Sequence, residues 1–280
     1  MHLNFAFTAV QILWTLTFAA HLVLLVVLLG RDRARRFPWF TASIALAALR
    51  LISSRLLFGR LPQITMAAIF ITLACVSALV ALGVVVEVAR RVFGGADKRT
   101  LITWILVLSV LGGLVLGTWG PWPAWKSLAV DTPLAILNLM QLVAQKLALL
   151  VDVYTVGLGL LVVLFGRRYG AGWRNHAHQL MIGLSTASIS QLAVQAIWQI
   201  IAKTAVPHSM AEYERIVGLR DKMLNANNAI FLAVLTWWIV CLWIDEPGAT
   251  QTGQVAAAEA ETPQQALPAA TEQPDDGENK

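Results

Sequence analysis

Charge is what this sequence has least of: 13% of its 280 residues are Asp, Glu, Lys or Arg, about half the share usual in a soluble domain. Together with 58% hydrophobic residues and a mean hydropathy of +0.67, that deficit excludes an ordinary water-soluble globule. Cysteine is nearly absent. Cys75 and Cys241 fall in different apolar runs at different depths, which excludes a disulfide framework and any metal-ligand spacing. Strand-like alternation in ten-residue blocks is missing, and with it an outer-membrane barrel. The chain has no Walker or dinucleotide glycine motif, no clustered His/Asp/Glu set and no G-x-S-x-G elbow. An enzyme is therefore the less favoured reading, and neither catalytic residues nor a metal or cofactor is called for. Two similar halves of the kind many transporters carry are also lacking.

What the chain does have is long apolar runs, each near or above the ~20 residues a helix needs to cross about 30 Å of hydrocarbon. They predict an all-α polytopic membrane protein, a seven-helix bundle over residues 1–244 with segments at about 8–29, 38–58, 64–89, 100–118, 134–165, 176–202 and 223–244. The first run follows no basic region and precedes no small-residue cleavage site, so it reads as a retained anchor. After Ile244 the composition turns to Ala, Gln, Pro, Thr and acids. This stretch, 245–280, holds eight acidic residues and one lysine and reads as a disordered cytoplasmic tail.

Lys and Arg concentrate in alternate loops: Arg31, Arg33, Arg35 and Arg36; Arg90, Arg91, Lys98 and Arg99; Arg167, Arg168 and Arg174. The other loops hold Arg60, Lys126, Lys203, Arg215, Arg220 and Lys222 at lower density. The positive-inside rule then puts the first set in the cytoplasm, the N-terminus outside the cell membrane and the C-terminus inside. The layout resembles that of the microbial rhodopsins, but no lysine stands between Met223 and Ile244 to form their retinal Schiff base. The strongly basic remainder of the chain reflects topology, with no nucleic-acid footprint.

Polar residues inside apolar segments are the candidate functional ones, because an unpaired polar group in hydrocarbon costs several kcal/mol. In the fifth segment Asn138, Gln141, Gln145 and Asp152 fall within about 60° of one another at 100° per residue. In the sixth, His178, Ser185, Ser188, Gln191, Gln195 and Gln199 share a sector of roughly 140°. Arg50 lies deep in the second segment, on one face with Ser43, Ser53 and Ser54, at nearly the depth of Asp152. A buried charge needs a partner, so the expectation is an Arg50–Asp152 pair in the outer half of the bundle. Gln145, Gln195, Gln199 and Ser188 are expected to complete an interior polar network around it.

Other features have plainer readings. His21 is expected to be a hydrogen-bonded structural histidine. Glu87, with Arg90 and Arg91 three and four residues on, reads as an interfacial ion pair. The Trp119-to-Lys126 stretch suits an aromatic belt at the outer interface or an aromatic ligand cage. Ser109, Gly113 and Gly117 form a small-xxx-small face for homo-oligomerisation or a partner membrane protein, in addition to the lipid bilayer. Ser209 and Glu212 form a capping box that starts a helix outside the membrane and runs it into the seventh segment through Gly218. Two function classes fit: a sensor-like or accessory subunit with a polar interior in its outer half, acting through a partner, or a small-solute or ion transporter using the Arg50/Asp152 region. They differ in whether polar lining continues to the cytoplasmic side.

Overall fold

The computed structural model describes residues 9–57, 59–94, 98–119, 122, 132–165, 175–205 and 209–245. The basic hinge 166–174, most of the tryptophan-proline loop, and all of the tail but Asp245 lie outside them. Among the described residues every regular element is a helix: α1 Ala9–Gly30, α2 Arg33–Arg36, α3 Pro38–Leu56, α4 Gln63–Val92, α5 Lys98–Thr118, α6 Pro133–Phe165, α7 His176–Thr204 and α8 Met210–Trp243. The chain divides into a helical unit, 1–244, and a second unit, 245–280.

Five of these helices, α1 (from Val10), α4, α6, α7 and α8, are long and apolar enough to cross a membrane. The expected count of seven spans is thus met in part. The second segment, α3, has 19 residues that include Arg50 and Arg55, and the apolar stretch of α5, Ile102–Thr118, is shorter than the five. The eighth helix, α2, is a single arginine-rich turn after Asp32, which takes the left-handed conformation at φ 52°. Pro38 then occupies the first turn of α3, where its missing N–H removes no bond.

α1 packs on α3 and α8, α3 on α4, α4 on α6 and α7, α6 on α7, and α7 on α8, which closes a ring; α5 lies against α6. Arg31, Arg33, Arg90 and Arg91 mark one end of the ring, called here the basic end. There Arg31 sits 5.0 Å over the Trp243 ring and Arg91 4.6 Å over the Phe37 ring. At the far end Arg220 covers Trp198 at 5.1 Å and Arg55 covers Trp14 at 4.8 Å.

The core is lopsided. Leu24, Leu28, Phe37, Phe40, Val84, Val88, Leu158, Leu161, Leu180, Met181, Leu235 and Trp238 belong to one buried cluster; Phe37 directly precedes α3, and the others lie in the half of their helix nearer the basic end. Phe40 and Trp238 meet edge-on at 5.0 Å between centroids. Toward the far end the buried apolar residues are few and mostly small, among them Ala48, Ala78, Ala144 and Leu149. The outer surface exposes leucine, isoleucine and valine along whole helices, Val110 at 71% and Val26 at 67%, a face suited to lipid and costly in water.

Two helices outrun the bilayer, and the capping expected at Ser209 is formed. α6 runs 33 residues and α8 runs 34, each about 50 Å at 1.5 Å per residue and so longer than the hydrocarbon layer. Ser209 caps α8 by accepting the Glu212 N–H at 3.2 Å, and the helix continues through Gly218 without a break.

Candidate functional site

The polar residues brought together lie along α7, where it packs on α6 and on α8, about halfway along the helix. Asp152 is half-buried on α6, about 20 Å from the Phe165 end. Ser188, buried on α7, donates to its Oδ1 at 2.9 Å. Two and three residues further along α7, Ser190 donates to Asn227 Oδ1 at 2.7 Å, and Asn227 Nδ2 donates to Gln191 Oε1 at 2.9 Å. Thus α7 bonds α6 through Ser188 and α8 through Ser190 and Gln191. Gln195 and Gln199 continue the α7 row toward the far end, both half-buried.

Toward the basic end the same row closes. Ser185 donates to the Thr155 carbonyl at 3.3 Å, and its side chain lies directly against Gly159, where a Cβ would collide with it. Thr155 is itself buried and gives its hydroxyl to the Val151 carbonyl at 2.7 Å. Below that level Leu158, Leu161, Val162, Leu180, Met181 and Leu235 fill the interior, each at most 7% exposed. The polar interior is therefore one-sided, with side-chain oxygens toward the far end and a packed apolar floor toward the basic end. His176 and His178 are buried beyond that floor, at the start of α7.

The Arg50–Asp152 pair is not formed. Arg50 is exposed, and α3 packs on α1 and α4. The buried face of α3 is Phe40, Ile44 and Ala48, and Arg50, two residues past Ala48, stands about 200° around the helix from it. Six residues from Leu56, its side chain can reach the far interface by snorkelling. The serines that placed Arg50 on an interior face were poor guides: Ser43 donates to the Phe40 carbonyl and Ser54 to the Leu51 carbonyl, each at 2.7 Å. A hydroxyl bonded to its own helix has no need of an interior.

The remaining expected residues scatter. Gln145, with Asn138 and Gln141, is exposed; at 1.5 Å per residue these three stand about 30 Å or more of helix from Phe165, a bilayer's span or beyond, and none has a bond to the interior network. Lys146 donates to the Trp119 carbonyl at 2.6 Å and sits 4.5 Å from the Trp122 ring. The tryptophans thus receive a cation of the chain itself, and the cage reading has no support in that arrangement; Trp125 and Lys126 lie outside the described residues. His21, 1% exposed, places Nδ1 2.7 Å from the Thr17 carbonyl and its ring 5.7 Å from that of Phe231, the structural role expected for it. Its Nε2 has no hydrogen-bond partner.

Glu87 takes a different role from the expected interfacial pairing with Arg90 and Arg91. It is buried, and its Oε2 accepts the Phe40 N–H at 3.1 Å. The carboxylate of α4 therefore supplies the partner that the first turn of α3 lacks, and the partial positive charge of that helix start favours it. Asn227 was the network residue overlooked in the sequence. It bonds both Ser190 and Gln191 of α7.

Gly113 and Gly117 have open space where a Cβ would stand, so neither serves the chain's own packing. α5 docks instead through Gly112, whose Cβ would come 2.6 Å from Tyr154 Cε1 and 2.8 Å from Leu150 Cδ1. Cys75 and Cys241 are both free thiols. Compared with known proteins, the chain matches no family model, no curated protein and no solved structure.

Proposed function

We propose that this chain is a receptor-like or accessory subunit of the cell membrane that admits a small polar ligand from outside, between α6, α7 and α8, and acts through a partner protein. In this reading α3 and α5 cross the bilayer with the five longer helices. The basic end is cytoplasmic, the N-terminus is outside and the C-terminal tail is inside, following the distribution of Lys and Arg. The observation that carries the proposal is the one-sided interior: Asp152, Ser188, Gln191 and Asn227 lie above a floor of Leu158, Leu161, Leu180 and Met181. A through-pathway needs polar lining on both sides of its site, and a ligand pocket needs it on one. Partner docking falls to α5, whose Ser109, Gly113 and Gly117 row is left over by internal packing and permits close helix approach.

The transport alternative makes the opposite demand and is tested in sealed proteoliposomes holding the full chain. Monovalent-ion and polyol fluxes are expected to match those of protein-free vesicles. A flux abolished by Asp152→Asn would establish transport and overturn the receptor reading. For the partner, the complex is purified in mild detergent from native membranes. One membrane protein is expected at stoichiometric yield, lost on Gly113→Leu with the chain itself still folded; recovery of the chain alone in every detergent removes the accessory role.

A further inference from the structure

We propose that the corner where α2, the start of α3 and the last turns of α4 meet binds one anionic phospholipid of the leaflet at the basic end, with its phosphate on Arg36, Arg90 and Arg91 and an acyl chain along α4 beside Trp39. The guanidiniums converge there. Arg36 of α2 and Arg91 of α4 approach the same buried Phe37 ring, at 5.8 and 4.6 Å from its centroid. Arg90, beside Arg91 in the last turn of α4, is exposed. The two stretches that build or adjoin this corner, 31–36 and 87–99, hold eight basic residues against three acids, Asp32, Glu87 and Asp97. Asp32 lies 3.5 Å from Arg35, and Glu87 is buried on the Phe40 N–H, where it offsets part of the charge of Arg91. Guanidiniums gathered on one ring repel each other, and an anion placed among them is attracted by all of them at once.

What separates a lipid from a soluble anion is the surface next to the arginines. Trp39, the second residue of α3, lies against Gly83 of α4, where a Cβ would come 2.6 Å from Trp39 Cδ2 and Cε3. The glycine seats the indole on α4, and Trp39 still remains 50% exposed. At 100° per residue Leu79, Gly83, Val86 and Arg90 fall within about 60° of one another, and Leu79 and Val86 are 57% and 42% exposed. One line on α4 therefore runs from a cation, past the seated tryptophan, to open apolar side chains. At 1.5 Å per residue it is about 16 Å long, close to half the thickness of the hydrocarbon layer and so to the depth of one leaflet.

The residue types suit that ligand. Arginine holds a phosphate through two parallel N–H bonds, which lysine cannot do, and tryptophan favours the level between headgroup and chain. A basic residue at an anionic membrane surface is worth roughly fivefold in affinity. At the far end, by contrast, the arginines stand one to a ring, Arg55 over Trp14 and Arg220 over Trp198.

The test is native mass spectrometry of the full chain in mild detergent, supplied with equal amounts of phosphatidylglycerol and phosphatidylcholine carrying the same acyl chains. One phosphatidylglycerol is expected to stay bound, at least about fivefold ahead of phosphatidylcholine. Arg90→Gln and Trp39→Ala should each lower that retention several-fold, and Arg60→Gln, at the far end, should leave it unchanged; the melting temperature shows that each variant is folded. Dihexanoyl phosphatidylglycerol, which has the headgroup without the chain length, and inorganic phosphate should both compete poorly with the long-chain lipid. Equal retention of the two lipids, or a phosphatidylglycerol preference that Arg90→Gln leaves intact, overturns the site. Displacement by inorganic phosphate, or by the short-chain lipid as readily as by the long one, makes it a site for soluble anions and overturns the lipid. Because the comparisons between ligands are made on the wild-type chain, they survive a variant that fails to fold. None of these outcomes bears on the polar row of α7, which thiol access tests by itself.

Discussion

At the scale of single residues, depth was legible in the sequence and direction was not. Counting residues from the arginine-marked ends places Arg50 and Asp152 nearly level. Which way each points depends on which neighbours the helix has, and α3 shows its Phe40–Ile44–Ala48 face to the bundle. The same limit explains Gln145, read as interior from its angle alone. Asp152 and Ser188 were each legible as interior polar residues, but their 2.9 Å bond required knowing that α6 and α7 pack directly. A double-mutant cycle tests this. Arg50→Leu is expected to leave the detergent melting temperature within a few degrees of wild type, since it removes a charge facing lipid, and to combine additively with Asp152→Leu. Non-additivity between those two would restore the pair. Asp152→Leu and Ser188→Ala, by contrast, should show a coupling of about 1 kcal/mol, the scale measured for hydrogen bonds between membrane helices. A second test concerns Glu87. Glu87→Ala strands a buried N–H of α3 and is expected to cost about 1–3 kcal/mol, with Glu87→Gln, which keeps an acceptor, recovering most of it. Equal losses for both would show that charge, rather than the capping bond, is what matters.

Among the helices, length and polarity were readable and packing was not. Runs of apolar residues announced α1, α4, α6, α7 and α8, and the capping box at Ser209 announced where α8 begins. The single turn α2 was not legible, because three arginines and an alanine carry no periodicity; it forms where Asp32 reverses the chain. For α5, a glycine row at four-residue spacing shows that close approach is possible and leaves open which glycine is used. The contact falls to Gly112 because Tyr154 and Leu150 project from α6 at that height. Gly112→Ala should therefore loosen α5 and cost about 1–3 kcal/mol of stability, as overpacking does, while Gly113→Ala should be near neutral in the isolated chain. Thermal unfolding of the two variants side by side checks this. The reverse ranking would place α5 on its other face.

For the molecule as a whole, the basic end holds a tight core built on Trp238 and Phe40, and the far end holds the polar residues among few buried apolar ones. Composition and the density of arginine suggested a membrane bundle with two unlike ends, but the asymmetry of packing emerges only when the buried halves of six helices are seen to coincide. Function follows from it in this reading, since a loosely packed outer half can admit a ligand that a packed inner half stops. The most direct measurement is thiol accessibility along α7, in the full chain with Cys75→Ser and Cys241→Ala, using an impermeant reagent on intact cells and on inverted vesicles. Single cysteines at Gln199, Gln195, Ser188 and Met181 report depth, and Gly94→Cys and Ser127→Cys report sidedness. The expected result is labelling from outside at 127, 199 and 195, weaker labelling at 188, labelling from inside at 94, and none at 181 from either face. Met181→Cys reacting from the inside while Gln195→Cys reacts from the outside would reveal a continuous pathway and contradict the one-sided pocket.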